Sequence, residues 1–213
     1  MAACLIDHLT ITAPTLEAGA QLVERRLGVA AQRGGQHPRM GTHNLLLRLG
    51  EAMFLEVIAT DPTAPAPPRP RWFALDELAA DAAPRLSCWV ARTSNIRDTA
   101  AAASEPLGPV EPMSRGALNW LITIPADGRP PLGGVGPALI EWHTESHPAM
   151  ALQDLGCRLA GFELLHPRPH RVEALLASLG LDPREVPLEI VEAPHPALRA
   201  RIRTPEGLRT LAA

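Results

Sequence analysis

The chain has 213 residues, 46% of them hydrophobic and 20% charged, with a formal net charge of -3. That length supports a full hydrophobic core without disulfide or metal staples, and a weakly acidic chain with no basic cluster argues against nucleic acid as a partner. All 20 basic residues are Arg, which with the abundant Ala and Pro reads as the coding bias of a GC-rich bacterial genome.

The run Leu5 to Thr12 alternates as a strand does, with Leu5, Asp7, Leu9 and Ile11 on one face and Ile6, His8, Thr10 and Thr12 on the other. Leu16, Ala20, Val23 and Leu27 then recur at helical spacing, and Gly28 is a stop signal. Residues 29–40 read as an irregular strand. Residues 44–49 and 52–59 read as two strands joined at Gly50-Glu51. The stretch from Asp61 to Arg71 carries five prolines and is expected to be an extended surface connection. Trp72 and Phe73 follow it; packing under the connection is weighed above a lid over a cleft.

A second series follows the same order. Residues 85–92 read as a strand, Ser94 or Asn95 caps a helix running to about Ala103, and strands are predicted over 110–115, 118–124 and 138–144. The loop from Pro125 to Gly136 is longer than its counterpart. Farther on, a helix over 170–179 lies among apolar runs at 157–165, 188–191, 198–203 and 208–211. This gives a first β-α-β-β-β module over 1–60, a Pro-rich linker and short apolar segment over 61–83, a second module over 84–146, and a partial C-terminal module over 147–213. A cap, a completion of the sheet and an oligomer contact are all open for the last.

Cys4, Cys88 and Cys157 form no CxxC pattern and two lie in strand-like runs, which fits buried thiols in a reducing cytosol. No apolar run reaches membrane-spanning length, and the first residues lack the basic region of a targeting peptide. A cytoplasmic protein with no membrane partner is therefore expected; homodimerisation stays open.

The two series share more than their order. Gly41, Asn44 and Phe54-Leu55-Glu56 recur as Gly116, Asn119 and Leu139-Ile140-Glu141. Each copy thus places one Glu among apolar neighbours, where a carboxylate is costly to bury unless paired, protonated or bound to metal. If the first and fourth strands of each copy adjoin, His8, Glu56, Glu141 and the region of Ser87 converge. Asn44 and Asn119 more often serve turn or edge chemistry; Arg48 and Arg115 could anchor a substrate carboxylate but more often belong to a solvated surface, and the segment from His143 to His147 could line a rim. There is no P-loop, GxGxxG, GxSxG or HExxH.

These residues, Asp7-His8-Leu9-Thr10-Ile11, Phe54-Leu55-Glu56 and Leu139-Ile140-Glu141, with Arg71-Trp72-Phe73 after the Pro-rich linker, resemble the vicinal oxygen chelate superfamily and its glyoxalase-like members. The resemblance covers about residues 5–145. It implies an α+β fold of paired βαβββ modules forming a curved-sheet cup. Metal-dependent members bind a divalent ion through one residue from the first and fourth strands of each module. Carried over, those positions are His8, Glu56, about Ser87, and Glu141. Because Ser is a poor ligand, His8, Glu56 and Glu141 remain as the metal set. The resemblance implies one ion of iron, manganese, nickel or zinc, and otherwise no cofactor. Glu56 and Glu141 are the catalytic candidates. Ser87, Trp89, Asn44, Asn119, Trp120 and His143 are the candidates for binding a small-molecule substrate. The implied function is a metal-dependent lyase, isomerase or oxygenase acting on a small oxygenated metabolite. The alternative is a metal-free module that sequesters a drug or metabolite.

Overall fold

A computed structural model describes residues 4–181 and 188–212; residues 1–3, the start of the segment judged not to be a targeting peptide, lie outside them. The alternating N-terminal run is strand β1 (Leu5–Thr12), followed by helix α1 (Leu16–Leu27). The Thr15 hydroxyl accepts the N–H of Ala18 to start the helix, and Gly28 ends it with a positive φ of 71° that a Cβ would penalise. Strands β2 (Gln32–His37), β3 (Thr42–Gly50) and β4 (Met53–Thr60) complete the first unit. The second repeats the order as β5 (Arg85–Arg92), α2 (Ile96–Ala102), β6 (Val110–Arg115), β7 (Leu118–Thr123) and β8 (Ala138–Trp142).

The eight strands build one curved sheet in the order β2-β3-β4-β1-β5-β8-β7-β6. β1 runs parallel to β4 and β5 parallel to β8, while β1 and β5 pair antiparallel. The two units therefore meet at the β1–β5 seam, each contributing four adjacent strands. Long β-α-β connections are what allow the parallel neighbours.

Two bulges sit on the seam. The pairing passes from Ile6–Ala91 to His8–Val90, leaving Asp7 unmatched, and from Thr10–Cys88 to Ile11–Leu86, leaving Ser87 unmatched. One extra residue shifts the alternation by one. Ile6 accordingly joins Leu9 and Ile11 in the core behind the sheet, with Leu86, Trp89 and Ala91. His8 lines the concave face, and Cys88 packs with the side chains that do. This corrects the strict alternation expected from the sequence, in which Ile6 shared a face with His8 and Asp7 the other.

The C-terminal residues form their own sheet, in which β9 (Arg158–His166), α3 (Pro169–Ser178), β10 (Leu188–Glu192), β11 (Ala197–Thr204) and β12 (Gly207–Ala212) give the order β10-β9-β11-β12. It adds no strand to the eight. Phe162, Leu164, Leu198, Ala200 and Ile202 instead pack into the core behind the cup, where Phe162 meets the Trp89 ring edge-on at 5.6 Å. The cup is thus backed by a second layer rather than by solvent. The three cysteines are free and buried, and no described helix is long and apolar enough to cross a membrane.

Close packing on this back face can be tested at Gly19 of α1. A Cβ there would lie 2.2 Å from Val57 Cγ1, and Val is stiff at χ1. Helix propensity favours Ala over Gly by about 1 kcal/mol, whereas overpacking costs about 1–3 kcal/mol. The clash is severe enough for packing to win, so Gly19→Ala is expected to lower the urea midpoint; a raised midpoint would contradict the packing.

Candidate active site

The concave face is polar at its centre and aromatic around it. His8, Asn44 and Glu56 lie among Leu46, Phe54, Trp72, Phe73, Trp120, Ile122, Ile140 and Trp142, with His37 and Arg115 at one end, around about 410 Å³ of empty space that includes the open mouth. Parity explains the set on β4: Phe54 and Glu56 turn into the cup while Leu55 and Val57 enter the back core. His8 stacks on Phe54 with ring centroids 4.5 Å apart.

Glu56 is buried, and each of its oxygens has a distinct setting. Oε1 accepts from Asn44 Nδ2 at 2.6 Å. Oε2 lies 3.5 Å from the Thr10 hydroxyl and 3.7 Å from His8 Nε2, beyond a good direct hydrogen bond in either case. Asn44 is itself fixed, since its Oδ1 accepts the Gly35 N–H at 2.8 Å and Arg115 Nη1 at 3.1 Å. The carboxylate is therefore oriented through one oxygen and available through the other.

His8 is held from behind by Asp7, whose Oδ1 lies 2.6 Å from Nδ1. The bulge makes this contact between adjacent residues feasible by turning both side chains to one side. Asp7 Oδ2 accepts from Trp142 Nε1 and His147 Nε2, each at 2.9 Å. Burial alone would raise the Asp7 pKa, but the hydrogen bonds and charges of His147 and His8 hold it well below the usual carboxylate range. An ionised Asp7 only accepts, so His8 carries its proton on Nδ1 and presents Nε2 to Glu56.

At the other end, burial and the nearby Arg115 charge lower the His37 pKa to about 3. Its neutral ring accepts from Arg115 Nη1 through Nε2 at 3.2 Å, and Nδ1 lies 3.1 Å from the Thr42 hydroxyl. Trp72 and Phe73 are buried side chains that line the cup. Their segment is pinned by the Ala74 N–H on Gly128 O and by the Arg71–Asp76 ion pair. Phe73 and Ala74 hold φ values of 59° and 55°, a left-handed strain of roughly 1–3 kcal/mol each that only over-determined surroundings maintain.

The structure brings together His8, Glu56, Asn44 and Trp120 of the residues singled out in the sequence, and separates the others from them. The seam sets Leu9 opposite Trp89, so Thr10 corresponds to Val90; Glu56 lies beside Thr10 and Ala138 beside Val90. Ala138, not Glu141, occupies the place of Glu56. The long Pro125 to Gly136 loop displaces β8 along β5, and an odd displacement turns a side chain to the opposite face. Glu141 consequently accepts the N–H of Ile96, in the first turn of α2, at 2.7 Å and pairs with His143 at 2.8 Å. His143 is about half exposed there. Trp89 is in the back core, donating to Val135 O at 2.8 Å. Asn119 is exposed. Ser87 Oγ accepts from the Thr12 hydroxyl at 2.9 Å.

Asp7, His37 and Trp142 belong to the site without having been singled out for it, and of these only Asp7 left a signal, a charge inside an apolar strand. Arg115, weighed as a carboxylate anchor below a solvated surface, and His147, weighed as a rim residue, belong to it as well. The solvated-surface reading of Arg115 is corrected by the way β2, β3 and the β6–β7 hairpin close around it.

The family model for the glyoxalase-like domain matches residues 6–180. The chain belongs to this family, within the vicinal oxygen chelate superfamily. No curated protein matches the sequence. Among solved structures, a hypothetical protein from Staphylococcus aureus shares the fold at a TM-score of 0.61, with 10% identity over 91% of this chain and 87% of that one. A variant methylmalonyl-CoA epimerase from Streptomyces coelicolor, in complex with 2-nitronate-propionyl-CoA, gives 0.45 with 14% identity over 68% and 100%. The epimerase from Mycobacterium tuberculosis gives 0.40 with 14% identity over 64% and 85%.

The glyoxalase-like domain here does not offer the expected metal set. The first unit supplies His8 and Glu56. In the second, the corresponding positions are Ala138, which has no donor, and Cys88, a fully buried thiol packed among apolar side chains. No group of three His, Cys, Asp or Glu side chains among the described residues is arranged to hold an ion. Manganese, nickel and zinc salts are therefore expected to leave the melting temperature unchanged. An ion at a hundredfold excess over its Kd would add about 2.7 kcal/mol, so a clear upward shift would overturn this reading.

Proposed function

We propose that this glyoxalase-like protein is an enzyme of the isomerase or lyase type, acting on a small oxygenated metabolite by moving a proton at the carbon beside a carbonyl. The observation that carries this reading is the pair Glu56 Oε2 and His8 Nε2, 3.7 Å apart in a buried, largely apolar cup. Each is held through its other polar atom, Glu56 by Asn44 and His8 by Asp7. Two proton-carrying groups that face one small space, neither bonded to the other, suit general acid–base work.

Glu56 Oε2 takes the proton from carbon, and the electron pair of the broken C–H bond moves into the carbonyl to give an enolate. The proton returns either to the same carbon or to its neighbour, with His8 able to exchange a proton at the adjacent atom. Asp7 keeps the imidazole in one tautomer and orientation, the role a buried carboxylate plays behind a catalytic histidine. The largely apolar walls lower the local dielectric, which strengthens each of these interactions.

The test is deuterium exchange followed by NMR. Hydroxyacetone, a neutral probe, is incubated with the protein in heavy water. Catalysed exchange beside the carbonyl, lost in Glu56→Gln, is the expected result. An apolar ligand that quenches the cup tryptophans, with no exchange into any small carbonyl compound, would favour the sequestering module instead.

A further inference from the structure

We infer that the cup is built for a small carboxylate whose anionic group docks on Arg115, the reacting carbon lying one or two bonds away beside Glu56. The inference rests on the proton-transfer reading of the same cup and names its substrate class as short 2-oxo or 2-hydroxy acids.

Arg115 makes no direct ion pair among the described residues; the opposite charge that acts on it, Glu56, lies across the Asn44 amide. The two hydrogen bonds of Arg115, to His37 Nε2 and Asn44 Oδ1, go to neutral acceptors and use Nη1 alone. Nε and Nη2 have no acceptor among the described residues. A guanidinium is shaped to take a carboxylate through two parallel N–H bonds. The fold has also made room for it, since a Cβ on Gly35 would come within 2.7 Å of Arg115 Cδ.

A second donor at the same end lacks an acceptor. Trp72 Nε1 is buried with no hydrogen-bond partner, on a ring 5.1 Å from that of His37. Such orphaned donors are rare, because each costs about 1–3 kcal/mol. Arg115 Nε and Nη2 are donors without acceptors where Arg115 lines the cup, and the base Glu56 is separated from Arg115 by the width of the Asn44 amide, which bonds both. A ligand spanning that gap has its acid group adjacent to the carbon that loses the proton.

The experiment titrates cup tryptophan fluorescence with pyruvate and with pyruvamide, its neutral analogue of nearly the same shape. Wild type is expected to bind pyruvate more tightly by about 10- to 100-fold, the equivalent of a hydrogen-bonded charge. Arg115→Met should lose that preference, and Arg115→Lys, which keeps the charge without the fork, should fall between. Glu56→Gln should bind pyruvate at least as tightly as wild type, because a repelling carboxylate has gone. Equal binding of the two compounds by wild type, no saturable binding of pyruvate, or an Arg115→Met protein that still prefers pyruvate would each overturn the assignment. Melting curves check that the variants fold; if Arg115→Met does not, the wild-type and Lys preferences decide. Exchange into hydroxyacetone needs no anion site, so failure of the anchor and failure of the proton-transfer reading give different results.

Discussion

Glu56→Gln is expected to slow exchange of the proton beside a carbonyl by about 10²–10⁴-fold, the usual contribution of a positioned general base, while the protein stays folded. Gln is nearly isosteric, and its carbonyl oxygen can still accept from Asn44 Nδ2, which now bonds Oε1 at 2.6 Å. What disappears is the second oxygen that faces His8. The melting temperature should accordingly move by little, since removing a buried carboxylate also removes its desolvation cost. Exchange rates and melting curves on the same preparation check both halves. Unchanged exchange would remove Glu56 from the chemistry, and a collapsed melting temperature would make it a structural residue.

Asp7→Ala is expected to cost the fold about 3–5 kcal/mol, the typical loss on breaking a buried charged network, and to lower Tm by roughly 10 °C. Three donors, His8 Nδ1, Trp142 Nε1 and His147 Nε2, would lose their acceptor together. The sign of the pH dependence follows from the depressed pKa of Asp7. Above the unfolded value of about 3.8, both states are ionised and the full stabilisation is present. As pH falls below it, the unfolded chain takes up a proton that the folded chain refuses, and stability drains away. The gap in stability between wild type and Asp7→Ala should therefore be widest above about pH 4 and narrow as the solution becomes more acidic. His37 adds a separate limb of the same sign. Its folded pKa of about 3 against 6.5 unfolded means that stability falls from about pH 6.5 down to 3, a slope that His37→Gln should remove. Denaturant melts across this pH range separate the two.

Much of this architecture is legible in the linear chain because it depends on local periodicity. The alternation of Leu5 to Thr12, the helical spacing of Leu16, Val23 and Leu27, and the repeated Asn and Glu positions led to two β-α-β-β-β units in the correct order. His8 and Glu56 stand out in the sequence because a polar group inside an apolar strand is expensive wherever the strand goes. The pairing of Glu56 with Glu141 did not survive folding, because strand register is not a local property. A longer loop before β8 moved its pairing along β5, and with a period of two an odd shift carries a side chain through the sheet.

The same reasoning explains Asp7, Trp89 and Arg115. Asp7 supports His8 only because the seam absorbs an extra residue there, and Trp89 faces the back core only because Ser87 is the matching extra residue in β5. A bulge is chosen by how two distant strands fit, so neither strand announces it. Arg115 looks like any arginine at the end of a strand until the β6–β7 hairpin folds against β2 and β3, 71 positions separating it from the Asn44 that holds it. Periodicity along the chain thus set the elements and the costly polar residues within them. Which of those residues share one cup was decided by strand registers and loop lengths, since only packing between distant segments determines the face each side chain is given.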